Sequence, residues 1–584
     1  MTKRYLVTSA LPYINGIKHL GNLIGSILPA DVYARFLRQC GKEVLHICGT
    51  DEHGTPAEIA AQEANLPVPQ YCEEMHKTQK EIYEKFDISF DFFGRTSSRS
   101  NHILTTQIFK ELYKNGYISE QEISQYYSEA DKRFLPDRYV EGTCPHCGYQ
   151  KARGDQCDGC SALLNPEDLK DPYSAISGSH DVELRRVKHF FLDMPKLEPL
   201  VTKWIEQQKE WSDVVRGVAR KWISEGLQQR CITRNLKWGI KVPNDLPALH
   251  AISQIDPSNE EDAEDKVFYV WFDAPNGYIS ITQDWAINSG DQEAWKKWWQ
   301  PDNENDVFYV EFMAKDNVPF HTVFWPSILF GLDTDFKKVD DIKGFHWLTY
   351  EHGKFSTSQQ RGVFTDTALE LYPADYWRYF LLANCPEGAD SDFSFALFAS
   401  VVNKDLADIL GNFASRVVAL QKKYFGLVVQ SELTDATIDR ELEAKATKIA
   451  QNIACLLSER KFRAATTGLR SLWVLGNEYI TQKSPWFVLP EDLEQGGVIL
   501  THCLHLLRTF AVANLPFIPS TARKIVQLLN DEESAVSSTK IDESVNFKYF
   551  KKGHAVREVG ILFEKIDEKT VQALTARFNG GSNT

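Results

Sequence analysis

Apolar and polar positions along the chain fall into two regimes. The opening RYLVTSALPY is a short apolar-rich run closed by the turn Pro12-Tyr13-Ile14-Asn15-Gly16, which predicts a buried strand. Leu23, Ile27, Val32 and Phe36 then recur on one side of a predicted helix, and EVLHICGTDEHG predicts a second strand ending in a polar, glycine-closed loop. Strand, helix, strand is a βαβ unit, the start of a doubly wound parallel sheet. Two later runs, KVFYVWFDA (266–274) and DVFYVEFMA (306–314), read as further strands covered on both faces, ending in the loops PNGY and KDNVPFH. Ligands of open α/β sheets bind beyond the carboxyl ends of the strands, so all four loops are expected to line one site. From about residue 397 the period becomes helical: Val402, Leu406, Ile409, Phe413, Val417 and Leu420 are spaced by three and four. Helical segments continue to about 530, broken at Pro485, Pro490, Pro516 and Pro519, and predict a separate α-helical bundle. The run NEEDAEDK (259–266) reads as a solvated loop and NGGSNT as a frayed end.

Cysteine spacing adds a module to this plan. Cys144, Cys147, Cys157 and Cys160 form a CxxC-x9-CxxC array, in which each turn aims two thiolates at one point. Four thiolates complete a closed tetrahedral zinc site, with no open position for catalysis. One structural Zn2+ is therefore expected, organising a small lobe inside a long insertion. The stretch DLKDPYSAISGSHDVEL beyond it has no cysteine, so no second knuckle is expected. The other seven cysteines read as small buried apolar residues.

Charge and composition narrow the function. A net charge of −15 argues against a generic nucleic-acid coat, yet residues 185–241 carry 13 Lys/Arg against 6 Asp/Glu, a local surface on which a polyanion could dock. No apolar run of about 18 residues is evident, so no membrane span is expected, and the start of the chain does not read as a signal peptide. A cytoplasmic protein is expected.

Candidate chemistry lies at two loops. His19 and Asn22 flank Leu20-Gly21 at a helix start, where a glycine admits close approach and free N–H groups suit phosphates. The ten residues GKFSTSQQRG (353–362) hold a lysine, hydroxyls, amides and an arginine between glycines. That composition fits a solvated turn or a phosphate clamp, and the residues alone leave both open. No Walker A or GxGxxG motif is present.

Taken together, HLGN and KFSTS resemble the signature motifs of class I aminoacyl-tRNA synthetases. ALPYINGIKHLGN, CGTDEHGTP, CPHCG…GDQCDGC, CITRNLKWG, VWFDAPNGY, MAKDNVPFH and LGNFASR resemble the methionyl-tRNA synthetase family in order and spacing, over about residues 3–490. The resemblance implies a Rossmann-type catalytic domain that activates L-methionine with ATP and Mg2+, then transfers it to the 3′ end of tRNA(Met). It implies that His19, Gly21, Asn22, Lys354 and Thr357 serve ATP, with His19, Asn22, Lys354 and Thr357 catalytic. Two positions depart from the pattern: Asn22 and Thr357 stand where a second histidine and a second lysine are usual. Lys354 is then expected to supply the cation, with Arg361 reaching back. For methionine the resemblance implies Asp51 on the ammonium and a pocket of Leu11, Tyr13, Trp271, Ala274, Pro275, Tyr278 and His321, with Phe320 and Trp325 beside it. Such a ring-lined box suits a polarizable thioether, to which Tyr278 and His321 could donate. Arg234 is expected to face Asp51 or the substrate. Asn412 and Arg416, four apart on one helical face, and Trp486, placed in a loop, are implied to read the anticodon.

The expected organisation is a catalytic domain in two halves, 1–115 and 231–340. Between them lies a connective insertion, 116–230, carrying the zinc knuckle at 144–160. A KMSKS-like loop and stem-contact region (341–396), a helical anticodon-binding domain (397–545) and a C-terminal tail (546–584) follow. No appended dimerisation domain is read, so a monomer is expected. The competing readings are a synthetase for another amino acid and a non-catalytic, tRNA-binding descendant of a synthetase.

Overall fold

The computed structural model describes residues 3–154, 157, 160, 164, 166–243, 266–353, 355 and 361–578. Lys354 and Thr357, the acidic run up to residue 265 and the NGGSNT end lie outside the described residues.

Five parallel strands form the central sheet: β1 (Arg4–Ser9), β2 (Val44–Thr50), β3 (Phe92–Arg95), β4 (Val307–Ala314) and β5 (Asp341–Phe345), in the order β5-β4-β1-β2-β3. The order reverses between β1 and β4, whose register pairs Thr8 with Glu311, so a crevice opens beyond their carboxyl ends. Alternate residues leave the sheet on opposite faces. Val7, Cys48, Val310 and Phe312 join one buried cluster, whereas Leu6, Ile47 and Tyr309 join another. Coverage on both faces explains why these strands read as unbroken apolar runs.

The first crossover helix starts at Leu20, passes through a π-helical turn at Leu23–Ile27 and continues as α1 (Leu28–Gln39). The first half of the other run, Lys266–Phe268, pairs antiparallel with Thr233–Asn235, outside the central sheet. Its second half is the helix Val270–Asp273, not a strand. An apolar run of nine residues does not by itself separate strand from buried helix, and here the chain turns helical immediately before α2 (Gly277–Asn288).

The cysteine lobe is a three-stranded sheet of Val140–Thr143, Ala152–Arg153 and Lys170–Ser174. Glu58 ties it down: its carboxylate accepts from Tyr139 Oη at 2.7 Å and from the Trp238 N–H at 2.9 Å.

After β5, α3 (Ala374–Ala383) leads to a bundle of α4 (Asn412–Phe425), α5 (Arg440–Ser458), α6 (Phe462–Lys483), α7 (Leu493–Asn514) and α8 (Pro519–Leu529). Val402–Gly411 before α4 is π-helical, which widens the turn. Leu406 and Leu410 are consequently buried, and Ile409, assigned to the apolar face by 3.6-residue counting, is only half-buried. α7 is long and apolar enough to cross a membrane, contrary to the reading of no such run, but it is almost entirely buried in the bundle. Residues 547–578 return across the bundle. Phe547, Phe550 and Phe563 are buried, and Phe578 packs on Phe395 at 5.6 Å. Of the scattered cysteines, Cys455 is exposed rather than buried.

Candidate active site

A cavity of about 460 Å³ opens at the switch point of the sheet. Segments following β1 (Ala10–Lys18), β2 (Asp51) and β4 (Ala314–Asn317) line it, together with the first helix, the 271–278 segment and residues 346–349. His19, Gly21, Asn22, Leu11, Tyr13, Asp51, Trp271, Ala274, Pro275, Tyr278 and His321 all face this one cavity. Residues separated by 302 positions thus meet because β1 and β4 are neighbours.

At the start of the first helix, His19 is the cap. Its Nδ1 accepts from the Asn22 N–H at 3.3 Å, and its own backbone N–H donates to Asn22 Oδ1 at 3.3 Å. An accepting Nδ1 places the proton of the neutral ring on Nε2, leaving Nε2–H to donate to a ligand. Burial, with the Lys18 charge beside it, lowers the His19 pKa to about 4. The ring stacks on Phe355, centroids 4.6 Å apart and 12° from parallel, an aromatic contact between that residue and the HLGN motif. A Cβ on Gly21 would stand 2.9 Å from the His19 imidazole. The glycine therefore makes room for that ring, a more specific reason than approach of a base. Backbone bonds from Leu20 N–H to Val363 O (3.2 Å) and from Thr365 N–H to Lys18 O (2.8 Å) join the same two regions. Arg361 Nη2 donates to the carbonyls of Tyr350 and Glu351 at 3.0 and 3.2 Å, while Lys354, beside which it was expected to reach, lies outside the described residues.

After β2, Asp51 is 3% exposed, and its Oδ1 has no hydrogen-bond partner among the described residues. Burial first, then the charges of Asp273 and Glu52, push its carboxyl well above the usual range. Such a group is poised to gain from a cationic ligand. Trp271 stacks on Phe320 at 3.6 Å, and Tyr13 meets the Trp271 ring edge-on at 6.1 Å. Phe320 and Trp325 stand behind Trp271 and Tyr278 as support.

Tyr278 Oη and His321 Nε2 are 3.0 Å apart, and His321 Nδ1 lies 2.9 Å from the carbonyl of Asn317. A carbonyl only accepts, so Nδ1 carries the proton, Nε2 accepts, and Tyr278 donates to it. Burial lowers the His321 pKa to about 4 and keeps the ring neutral. His321 then has no proton facing the cavity, a correction to its expected role as a donor. Only the Tyr278 hydroxyl can turn toward a sulfur.

Arg234 does not join this lining: it lies 4.1 Å over the Tyr269 ring and donates to the Thr233 carbonyl at 2.9 Å. The lining residues not singled out from sequence include Lys18, Asp316 and Asn317, together with His346, Trp347 and Thr349. Lys18 sits inside NGIKHLGN, and Asp316 and Asn317 inside MAKDNVPFH, so the motifs pointed to these three.

Two further clusters lie elsewhere. The Sγ atoms of Cys144, Cys147, Cys157 and Cys160 are all within 4.8 Å of one another, with Cys144–Cys160 at 3.9 Å and Cys147–Cys157 at 3.6 Å. A tetrahedron with metal–sulfur bonds of about 2.3 Å has edges near 3.8 Å, so the donor set fits zinc. In the bundle, Asn412 is exposed at the start of α4, and the Arg416 guanidinium lies 4.8 Å over the Trp486 ring. Trp486 belongs to a one-turn helix, Pro485–Val488, rather than to a loop, and neighbouring Phe487 is 74% exposed.

Comparison with known proteins agrees with this arrangement. A family model described as class I tRNA synthetases (M) matches residues 5–418, and one described as the anticodon binding domain of methionyl tRNA ligase matches residues 431–583. Methionine--tRNA ligase 1 of Acaryochloris marina is 48% identical over 580 residues, covering 99% of this chain and 100% of that one. The methionine--tRNA ligase of Streptomyces avermitilis is 48% identical over 588 residues, covering 99% of each. Among solved structures, Mycobacterium tuberculosis methionyl-tRNA synthetase in complex with methionyl-adenylate shares the fold with a TM-score of 0.74 at 23% identity, covering 96% of this chain and all of that one. With a family model across most of its length and full-length relatives at 48% identity, the chain belongs to the methionyl class I tRNA synthetases.

Proposed function

We propose that the cavity carries out the first half of the family's reaction: L-methionine and ATP react to form methionyl-adenylate and pyrophosphate, and the amino acid then passes to the 3′ end of tRNA(Met). One observation carries the reading. A buried carboxylate lacking a partner among the described residues, a ring-lined apolar recess and a proton-bearing His19 Nε2 at a helix start share one cavity.

Asp51 takes the ammonium, a charge-assisted contact that rejects acids without an α-amino group. Leu11, Tyr13, Trp271, Ala274, Pro275, Tyr278 and His321 enclose the side chain, sulfur–ring contacts contributing about 0.3–1.5 kcal/mol each. His19, Gly21 and Asn22 meet the nucleotide, with Lys354 and Thr357 contributing from the loop. A carboxylate oxygen then adds to the α-phosphorus in line while the bond to the β-phosphate breaks, and pyrophosphate leaves with the electron pair. The protein's part is to align the reactants and receive charge. Mg2+ bound with ATP would neutralise phosphate charge, and one zinc on the four cysteines would hold the insertion lobe folded. In the bundle, Asn412, Arg416 and Trp486 read the anticodon, with Trp486 offering a face on which an unpaired base stacks. We take the domain boundaries as those expected from sequence, with the C-terminal tail (546–584) as the last segment.

The direct test is acylation of deacylated total tRNA with each labelled amino acid. Methionine alone is expected to be incorporated. Binding of tRNA with no acylation would favour the non-catalytic descendant, and incorporation of another amino acid would favour a synthetase of different specificity.

A further inference from the structure

Lys18 is a cation placed where no role has yet been given to one. Among the described residues lining the cavity, it is the one lysine or arginine, and it shares that lining with the acidic Asp51 and Asp316. Its Nζ donates to Asn15 Oδ1 at 2.8 Å, so its described hydrogen bond goes to a neutral oxygen rather than a carboxylate. Two N–H bonds of the ammonium remain for a ligand. Its backbone is fixed from both sides: the carbonyl accepts from Thr365 N–H at 2.8 Å, and His19 follows directly as the helix cap. It interacts electrostatically with both Asp51 and His19, the groups that face the amino-acid ammonium and the nucleotide. Lys18, Asp51 and His19 thus line one cavity, the one in which carboxylate and α-phosphate must meet. Burial brings its pKa down to about 7, against the raising effect of Asp51, so an incoming anion would stabilise its charged form.

We propose that Lys18 is a further catalytic residue of activation, its ammonium contacting the α-phosphate as the methionine carboxylate adds. It supplies there a positive charge that the threonine at position 357 of the KFSTS loop cannot. The electron bookkeeping of the step is unchanged: the carbon-bound oxygen forms a bond to phosphorus, the phosphorus–oxygen bond to pyrophosphate breaks, and the lysine keeps its proton.

This inference rests on the reading of the cavity as the activation site, and the experiment separates the two. Methionine-dependent ATP–pyrophosphate exchange is measured for wild type, Lys18→Met, Lys18→Arg and the double variant Lys18→Met/Thr357→Lys, with thermal unfolding of each. Lys18→Met is expected to lower kcat about 100-fold, with the KM for methionine changed less than about threefold. Lys18→Arg is expected to stay within about tenfold of wild type, and the double variant to recover at least about tenfold over Lys18→Met. A kcat for Lys18→Met within about threefold of wild type overturns the proposal, as does a loss lying wholly in the methionine KM. Failure of both Lys18→Arg and the double variant to recover activity, with unfolding temperatures unchanged, overturns it too. Absence of exchange in wild type would instead remove the functional reading itself.

Discussion

At the scale of single residues, hydrogen-bond direction decides how the amino-acid recess can discriminate. The Asn317 carbonyl fixes the His321 proton on Nδ1, and the cavity-facing Nε2 becomes an acceptor already used by Tyr278. A thioether sulfur therefore competes with His321 for one hydroxyl proton. Tyr278→Phe is expected to raise the KM for methionine about threefold to tenfold, the worth of one neutral hydrogen bond, while kcat stays within about twofold. An unchanged KM in steady-state exchange would show that the hydroxyl does not reach the substrate. Residue identities in the recess were legible because they sit in dense motifs. The proton's location was not, since it depends on a carbonyl four residues before His321 in a π-helical turn (Phe320–Phe324) that no periodicity reveals.

Glu311 illustrates a different blind spot. It lies on β4 facing Tyr309, 1% exposed, and burial pushes its carboxyl up to about 8. The sequence VFYVEFMA reads as a strand with a polar interruption, and only the register with β1 shows that the glutamate is enclosed. In the unfolded chain a glutamate titrates near 4.3, so between about pH 4.3 and 8 the folded state holds a proton that the unfolded state lacks. Stability contributed by this group is present below about 4.3 and is lost as pH rises through 8, at up to about 1.4 kcal/mol per pH unit. Glu311→Gln removes that titration. Its stability relative to wild type is expected to rise with pH across this window and level off above it. A pH-independent difference in denaturant unfolding would contradict the burial argument.

At the scale of elements, helical turns with five-residue hydrogen bonding occur at three informative places: Leu23–Ile27 on the nucleotide side, Phe320–Phe324 beside the recess, and Val402–Gly411 ahead of Asn412. Leu23 and Ile27 in the first are buried as counted, whereas in the third Ile409 departs from counting by 3.6. The same limit explains the run at 266–274. Aromatic and β-branched content predicted a strand, whereas Val270–Asp273 is helical and swings Trp271, Ala274 and Tyr278 to the cavity from helices. The loops still converge, because it is the chain positions after the strands that matter.

The cysteine lobe has only a small buried core. Cys144 and Cys157 belong to its buried cluster, along with Leu135, Tyr139 and Val140. Elemental analysis is expected to give one zinc per chain. Chelation should expose the 134–176 segment to proteolysis, while the helical signal of the bundle changes little. A chain without zinc that resists proteolysis equally would show that the four thiols pack without a metal.

For the whole molecule, catalytic domain and bundle share one buried cluster, and a fully buried ion pair lies at the join. Arg378 on α3, fully buried, donates to Asp31 on α1 at 2.7 Å, to the Phe86 carbonyl at 3.1 Å, and to the carbonyls of Pro516 and Phe517 at 3.0 and 2.8 Å. One guanidinium thus links the helix that begins beside His19 to the turn between α7 and α8. Removing it leaves Asp31 partly uncompensated in the interior, where a broken pair costs about 3–5 kcal/mol. Arg378→Ala is accordingly expected to lower unfolding stability by roughly that amount, and to weaken tRNA charging more than pyrophosphate exchange. A change below about 1 kcal/mol in denaturant unfolding would mean that the neighbouring Arg35 takes over. This join was invisible in sequence, since Arg378 and Asp31 are 347 positions apart and each lies in an ordinary helical pattern.

The central claim is that methionine and ATP meet in one cavity, with Asp51 holding the amino acid. Pyrophosphate exchange across the twenty amino acids, in wild type and Asp51→Asn, tests it most directly. Exchange for methionine alone in wild type, reduced about 10- to 100-fold in kcat/KM for methionine by Asp51→Asn, is the predicted result. Exchange driven equally by another amino acid, or an Asp51→Asn enzyme indistinguishable from wild type, would contradict it.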